Sequence, residues 1–577
     1  MRAFLLAACL LVSGASQVLA GSSKISPDLA KAHPTGQVDV IVQFTQIPTA
    51  EHHLKVLRRG GTIKRDLGRF KGGAYRMPAA MLGDLAADHD VVYISPDRPI
   101  RSAGATFQDW NLDYHTDTVN APVAWAQGLN GAGIGVAVID SGVAYVPDLS
   151  WNSVTYGQDF TGNRWGSTYD RYGHGTDVSG IIAGNGFSSA SPDDFYTFMG
   201  IADGVNLINL RVLDRNGEGT DSEVIAAIQS AIQLQSTLNI GVINLSVGRP
   251  VWESYQLDPL CQAVEQAWQA GILVVVAAGN YGRDNAAGTY GYGTITAPGN
   301  DPYVITVGAM NTMGTPDRSD DVIASYSSKG PTLYDQIVKP DIVAPGNLII
   351  SLYNPGETLN QENPENEIPY SLYQTNGSSD PSPVYFILSG TSMAAPMVSG
   401  AAALMLQQTP SLTPDQIKAR LMLTAFKNLI PSSTATDSAT GQVFNEQADI
   451  FTVGAGYLDI QAALQDTDLV PATVGSAMSP AATLDDAGNV VLVSNSVLGS
   501  DYSILWGTAS VWGASILWGT NDIGQSILWG TSTPASESIL WGTTEVDPAS
   551  ILWGTGSGGN DGIFWGTSAP GALSDQE

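Results

Sequence analysis

The sequence predicts an α/β protein whose main domain is a largely parallel sheet with helices on both faces, preceded by a small α+β unit and followed by a Trp-rich tail. Three observations predict it. Between about residues 121 and 466, near-continuous apolar runs such as GIGVAVID, VNLINLRVL, IGVINLSV, ILVVVAAGN and YVITVGAM alternate with helical segments such as SEVIAAIQSAIQL and CQAVEQAWQ. Strands that are apolar throughout belong in a sheet buried on both faces, with the helices as crossovers. Residues 36–105 read strand, helix, strand, strand, helix, strand, from VDVIVQF to VVYISPDRPI, the order of an open-faced, ferredoxin-like unit. Near the end SILWGT recurs between 503 and 567, with Trp at 506, 518, 529, 541 and 553 and variants at Trp512 and Trp565.

The first twenty residues, MRAFLLAACLLVSGASQVLA, carry one Arg, an apolar centre and a V-L-A end, the layout of a secretory signal cleaved after Ala20. The expected location is outside the cell or in its envelope. Leu6-Ala7-Ala8-Cys9 resembles a lipoprotein box, but the apolar stretch before it is short for such a signal. No later stretch approaches the roughly 20 apolar residues of a membrane helix, so no span is expected. The chain then divides into a basic head (21–105), a main domain (106–466) and an acidic tail (467–577).

Formal charge is −30, unevenly spread. The head holds 12 Lys and Arg against 8 Asp and Glu, or +4, whereas residues 106–577 hold 12 against 47, or −35. Such a balance argues against nucleic acid as a partner and sets head and body to attract one another. Cys9 lies in the signal and Cys261 is the one other cysteine, so no intrachain disulfide is expected and Cys261 reads as core. In a tail repeat, Ile and Trp of I-L-W share one strand face and the Gly-Thr and spacer residues turn. That pattern suits a stacked β-repeat or a sticky disordered tail. Exposed Trp would also suit binding to a cell surface or polysaccharide.

Serine chemistry requires a base, and outside the signal and head the histidines are His115 and His174. His174 lies in YGHGTDVSGIIAG, at the start of a helix, and Asp140 ends the strand GVAVID. Ser392, in SGTSMAAPM, opens a helix of small residues, with Pro396 expected in or near the first turn. Strand C-terminal ends and helix N-terminal ends share one edge of a parallel sheet, so Asp140, His174 and Ser392 can meet there. Asn280 closes the strand ILVVVAAGN at the same edge, where its amide can donate to a developing oxyanion. No His follows Ser392, which excludes the Ser, acid, His order of α/β-hydrolases.

VAVIDSGV, GHGT, INLSVG, AAGN, SSKGP, KPDIVAPG and SGTSMAAP, in that order over some 260 residues, resemble the subtilisin family of serine peptidases across about 121–466. The resemblance implies a seven-stranded parallel sheet, a triad of Asp140, His174 and Ser392, and Asn280 in the oxyanion hole. It implies further that Gly217, Glu218 and Gly219 form an edge strand pairing with substrate opposite Leu245, Ser246, Val247 and Gly248. Ala277, Ala278 and Gly279 would wall the primary side-chain pocket, with Thr296 near its floor. No acid stands at that floor position, so medium apolar side chains are expected there; Glu218 reads first as a solvated turn charge and second as a group favouring a basic residue further along. The head resembles the inhibitory propeptide of these enzymes, removed by cleavage around Arg101–Phe107. Its four histidines, His33, His52, His53 and His89, would tie release to pH.

The expected function is thus a secreted, self-processing serine endopeptidase acting on proteins or peptides. The alternative is a surface- or polysaccharide-binding protein whose Trp repeats are the functional part. No cofactor or metal is expected: no recognisable calcium loop follows GIIAG, and Asp193 and Asp194 read as solvated. Asp177 stands where a second His or a small residue is common in the family, and in a first helical turn reads as electrostatically ordinary. The insertion from Asn354 to Asp380 is expected beside the cleft.

Overall fold

The computed structural model describes residues 24–493 apart from His33 and the stretches 103–111, 150–152, 163–165, 287–288, 438–439, 468–469 and 485–489, together with short strands between 515 and 565. The expected signal, the Cys9 region, the cleavage region beyond Ser102, Trp506 and Trp512 lie outside the described residues. The chain forms two compact units, divided after Pro96.

In the first unit four antiparallel strands lie in the order Thr62–Leu67, Gly72–Pro78, Gln37–Phe44, Val91–Pro96. Helices Ala50–Leu57 and Leu82–Ala86 supply Val56, Leu82 and Leu85 to a core with Val40, Val42, Phe44, Tyr75, Met77 and Ile94. The alternation of VDVIVQF is what turns Val40, Val42 and Phe44 to that side. Of the head histidines, His52 is buried and accepts the Thr49 N–H through Nδ1 (3.1 Å), His53 Nδ1 lies 2.9 Å from the Tyr75 hydroxyl, and His89 is exposed.

The second unit is built on an eight-stranded sheet in the order Val322–Ile323, Ile305–Asn311, Leu273–Ala277, Ile240–Leu245, Gly135–Asp140, Asn206–Arg211, Val154–Asp159, with Ile342–Pro345 also paired to Ile305–Asn311. All pairings are parallel except that of the two-residue strand Val322–Ile323, so the expected seven parallel strands gain one short antiparallel neighbour. The first strand of the sheet, Gly135–Asp140, is central: the chain adds two strands on one side and then the rest on the other. That reversal creates a switch point at the C-terminal end of Gly135–Asp140, the place where open α/β sheets form crevices.

The helix Thr391–Gln408 is buried from Thr391 to Leu406 and packs on strands Ile240–Leu245, Leu273–Ala277 and Ile305–Asn311. Its small residues permit this: a Cβ added at Gly400 would come within 2.6 Å of Ile201 Cβ. Pro396 proves to be the sixth residue of this helix rather than part of its first turn, which corrects the sequence expectation. Cys261 is buried as expected, its thiol 3.3 Å from Asn300 Oδ1. No helix among the described residues is long and apolar enough to cross a membrane. In the tail, strands Ser515–Trp518, Ser526–Trp529, Ser538–Trp541, Ile551–Trp553 and Ile563–Trp565 pair parallel and in register, Trp opposite Trp.

Asp415, in the helix Pro414–Thr424, ties it to the helix Pro259–Gln269 and to the chain beyond it, accepting from Trp268 Nε1 and from the Ala477 N–H at 2.8 Å each. Asp415→Ala would strand two buried donors. Urea unfolding is expected to show a loss of about 2–4 kcal/mol.

Candidate active site

Asp140 is the last residue of the central strand, and its carboxylate accepts the Ser141 N–H at 2.7 Å. His174 opens the helix His174–Ala183 and is fully buried, with Nδ1 2.9 and 3.0 Å from the two Asp140 oxygens. Two glycines make this approach possible. Gly173 precedes the helix at φ +112°, a conformation L side chains rarely adopt. A Cβ on Gly175 would lie 2.2 Å from the Gly142 carbonyl.

Ser392 is the second residue of its helix and buried. Its Oγ donates to the Ser246 carbonyl at 3.0 Å, and His174 Nε2 has no hydrogen-bond partner among the described residues. The structure therefore joins Asp140 to His174 and Ser392 to Ser246, without a Ser392–His174 hydrogen bond. Pro396 takes part here. A residue with an N–H at that position would donate to the Ser392 carbonyl; instead that carbonyl accepts from Ser246 Oγ at 2.9 Å. Asn280 Oδ1 accepts both the Thr391 N–H and its hydroxyl at 2.9 Å, which fixes the plane of the carboxamide at the start of the Ser392 helix.

The residues expected to line a substrate cleft form a three-stranded sheet. Glu218–Thr220 and Val247–Gly248 flank a central antiparallel strand, Pro99–Ser102, supplied by the chain itself. Ser102 N–H points to the Gly217 carbonyl at 3.4 Å, and Gly217 holds φ +72°. Arg101 Nη2 lies 2.6 Å from Glu218 Oε1, both exposed. Leu245 ends its sheet strand immediately before Ser246. Thr296 is buried: its N–H and hydroxyl both point to the Ala278 carbonyl (3.0 and 3.2 Å), and a Cβ on Gly248 or Gly279 would collide with its side chain at 2.7 or 2.6 Å. Ala277 and Ala278 are buried just ahead of Gly279.

Sequence reasoning missed the acids behind His174. Asp170, fully buried, accepts from the N–H groups of Tyr172, Gly173 and Thr176 and from the Thr176 hydroxyl at 2.7–3.0 Å, so it shapes the turn that presents His174. Burial raises its pKa, with the hydrogen bonds from Gly173 and Thr176 working the other way. Asp177 is not the ordinary first-turn acid expected. It is buried, neither oxygen has a hydrogen-bond partner among the described residues, and burial first, then Asp140, Asp113 and Asp170, push its pKa well above the carboxylate range. Its place three residues after His174, in the first turn of the helix, was the available signal, but periodicity alone does not say that the whole helix is enclosed.

Of the other expected features, the insertion packs on the turn ahead of His174: the Thr358 and Leu359 N–H groups donate to the Arg171 and Tyr172 carbonyls. Glu357 of the insertion is buried beside Gly173, and burial, with Asp170 next, pushes its carboxyl up to about 9. His115 is paired to Asp113 through Nδ1 at 2.5 Å. Asp193 is exposed, and Asp194 accepts the Ser191 N–H at 2.6 Å.

The comparisons agree with this architecture. The Subtilase family profile matches residues 131–456. Serine protease AprX of Bacillus subtilis (strain 168) is 39% identical over 314 residues, 53% of this chain and 65% of AprX, so the chain spans just under two thirds of that relative's length. Subtilisin E of the same organism is 30% identical over 430 residues, 74% of this chain and 90% of that protein. Among solved structures, fervidolysin from Fervidobacterium pennivorans, a keratinolytic enzyme related to subtilisin, shares the fold with a TM-score of 0.54 at 21% identity, covering 75% of this chain and 61% of that one.

The folded state keeps the Glu357 proton where the unfolded chain has released it. Stability linked to this group is therefore fully present below about pH 4.5 and is lost as pH rises toward 9. Glu357→Gln, in the Ser392→Ala background, is expected to gain on its parent between pH 5 and 8, by at most about 1.4 kcal/mol per pH unit, in chemical unfolding at each pH. On sequence, fold and the arrangement of these motifs, the chain belongs to the subtilase family of serine peptidases.

Proposed function

We propose that this is a secreted, self-processing serine endopeptidase in which Asp140, His174 and Ser392 act as triad and Asn280 as oxyanion donor. The carrying observation is the strand Pro99–Ser102 lying between Glu218–Thr220 and Val247–Gly248 as an extended peptide would. Backbone pairing of that kind holds a substrate by its main chain. Antiparallel register puts Ser102 opposite Val247, and the carbonyl of Ser246, the residue before Val247, is bonded to Ser392 Oγ. We assign autocleavage to the bond after Ala103, the residue that follows Ser102 in the chain.

In the reaction, Ser392 turns about Cα–Cβ from the Ser246 carbonyl toward His174 Nε2 and attacks the peptide carbonyl. His174 accepts the hydroxyl proton at Nε2 and returns it to the leaving amine, while Asp140 holds Nδ1 and stabilises the imidazolium. The oxyanion forms at the N terminus of the Ser392 helix, where the Ser392 N–H and the Asn280 amide can donate to it and the helix dipole favours negative charge. Residues 21–105 serve as the propeptide that occupies the cleft until cleavage. The tail, 467–577, is assigned an attachment role toward a cell surface or polysaccharide, for which the in-register repeat strands are the supporting feature.

Secreted wild-type protein is expected to begin at Gly104 by N-terminal sequencing and to label with a fluorophosphonate, whereas Ser392→Ala retains its head and does not label. An unlabelled, unprocessed wild-type protein would contradict the reading. Asn280→Ala is expected to lower kcat on casein-derived peptides by about 10²–10³ with KM little changed, a magnitude carried over from the subtilisins themselves.

A further inference from the structure

The strand in the cleft does not stop at Ile100. Upstream of it the Arg98 carbonyl accepts the Asp221 N–H at 2.9 Å, and the Asp97 carboxylate accepts from the Ser222 N–H and hydroxyl at 3.0 and 2.9 Å. Along this segment Arg98 and Ile100 are buried while Pro99 and Arg101 are exposed, the alternation of a strand with one face pressed into the protein. Ile100 is fully buried. Arg98, with a side chain 4% exposed, places Nη1 2.7 Å from Oε1 of Glu253, which is itself 2% exposed.

We propose that Glu253 is a specificity-determining residue: it forms a subsite that recognises an arginine in the substrate two residues upstream of the one in the Ile100 site, the sixth before the scissile bond. The inference rests on the peptidase reading above and on the cleavage register it implies. Arg98 stands in for the substrate side chain. A buried carboxylate deprived of its cation is costly, so the vacated subsite retains an attraction for a guanidinium. Neighbouring acids are already engaged elsewhere: Arg249 Nε is 2.8 Å from Asp221, and Arg249 Nη2 is 2.7 Å from Asp258. Arg98 thus meets Glu253 directly. The exposed Arg101–Glu218 pair, by contrast, is worth little because solvent screens it.

The test compares fluorogenic peptides spanning Asp97 to Phe107, with Arg, citrulline or Ala at the position of Arg98, and a truncated peptide beginning at Ile100, all on the mature enzyme. Citrulline keeps the shape and removes the charge. The wild type is expected to cleave the Arg peptide with kcat/KM about tenfold or more above the citrulline peptide, and Glu253→Gln to bring that ratio near one. Equal rates on Arg and citrulline peptides in the wild type overturn the proposal, and this comparison decides even if Glu253→Gln does not mature. Cleavage of the truncated peptide with no Arg preference overturns the subsite alone; no cleavage of any peptide overturns the peptidase reading and the subsite with it.

Discussion

The contact between His174 Nδ1 and the Asp140 carboxylate is the constraint on which the site depends, because it joins two elements that reach the same edge by different routes. Asp140 is placed by the sheet, at the end of the strand where the winding direction reverses. His174 is placed by a helix N terminus, and only a backbone without a Cβ at positions 173 and 175 lets that helix come close enough. A Cβ at position 175 would push the helix from the strand end, since the obstructing atom is the Gly142 carbonyl, whereas at position 173 the cost is the left-handed backbone and a clash with the Glu357 side chain.

Holding that pair dry has an electrostatic consequence. Asp170, Asp177 and Glu357 are buried around the same helix terminus, and the charges raise one another's pKa: Asp140 and Asp170 act on Asp177, and Asp170 acts on Glu357. Four carboxylates this close cannot all ionise in a medium that solvates them poorly. Burial and the neighbouring acids favour the neutral form of Asp177 and of Glu357, which lowers the negative charge packed around this helix terminus. The strongly acidic composition is therefore not confined to the surface: Asp170, Asp177 and Glu357 are buried carboxyl groups whose pKa values are raised by that burial.

Much of this was legible in the sequence, for a local reason. Apolar runs of strand length alternating with helices give a parallel sheet, and a parallel sheet puts strand ends and helix starts on one edge, so Asp140, His174, Asn280 and Ser392 could be assigned to one rim. What was not legible depended on enclosure or on distant pairing. Asp177 looks like any acid in a first helical turn until the whole helix is seen to be buried. Asp170 lies four residues before His174 in an irregular stretch whose hydrogen bonds no periodicity reveals. The lodging of Arg98 against Glu253 spans 155 residues of chain, and nothing local to either residue predicts it.

Pro396 shows how a residue that breaks a local rule can be accounted for by a distant one. Inside a helix it forfeits the bond to the carbonyl four residues earlier, and that carbonyl belongs to Ser392. The orphaned acceptor is buried, so it requires another donor. Ser246 Oγ provides it, while the Ser246 carbonyl accepts from Ser392 Oγ. The two serines are thus joined by reciprocal hydrogen bonds, one through the backbone carbonyl of each. The start of the Ser392 helix is thereby fixed to the segment that continues into Val247–Gly248, one wall of the cleft. The missing helical bond is exchanged for a tertiary one that sets the position of Ser392 against the strand that pairs with an extended peptide.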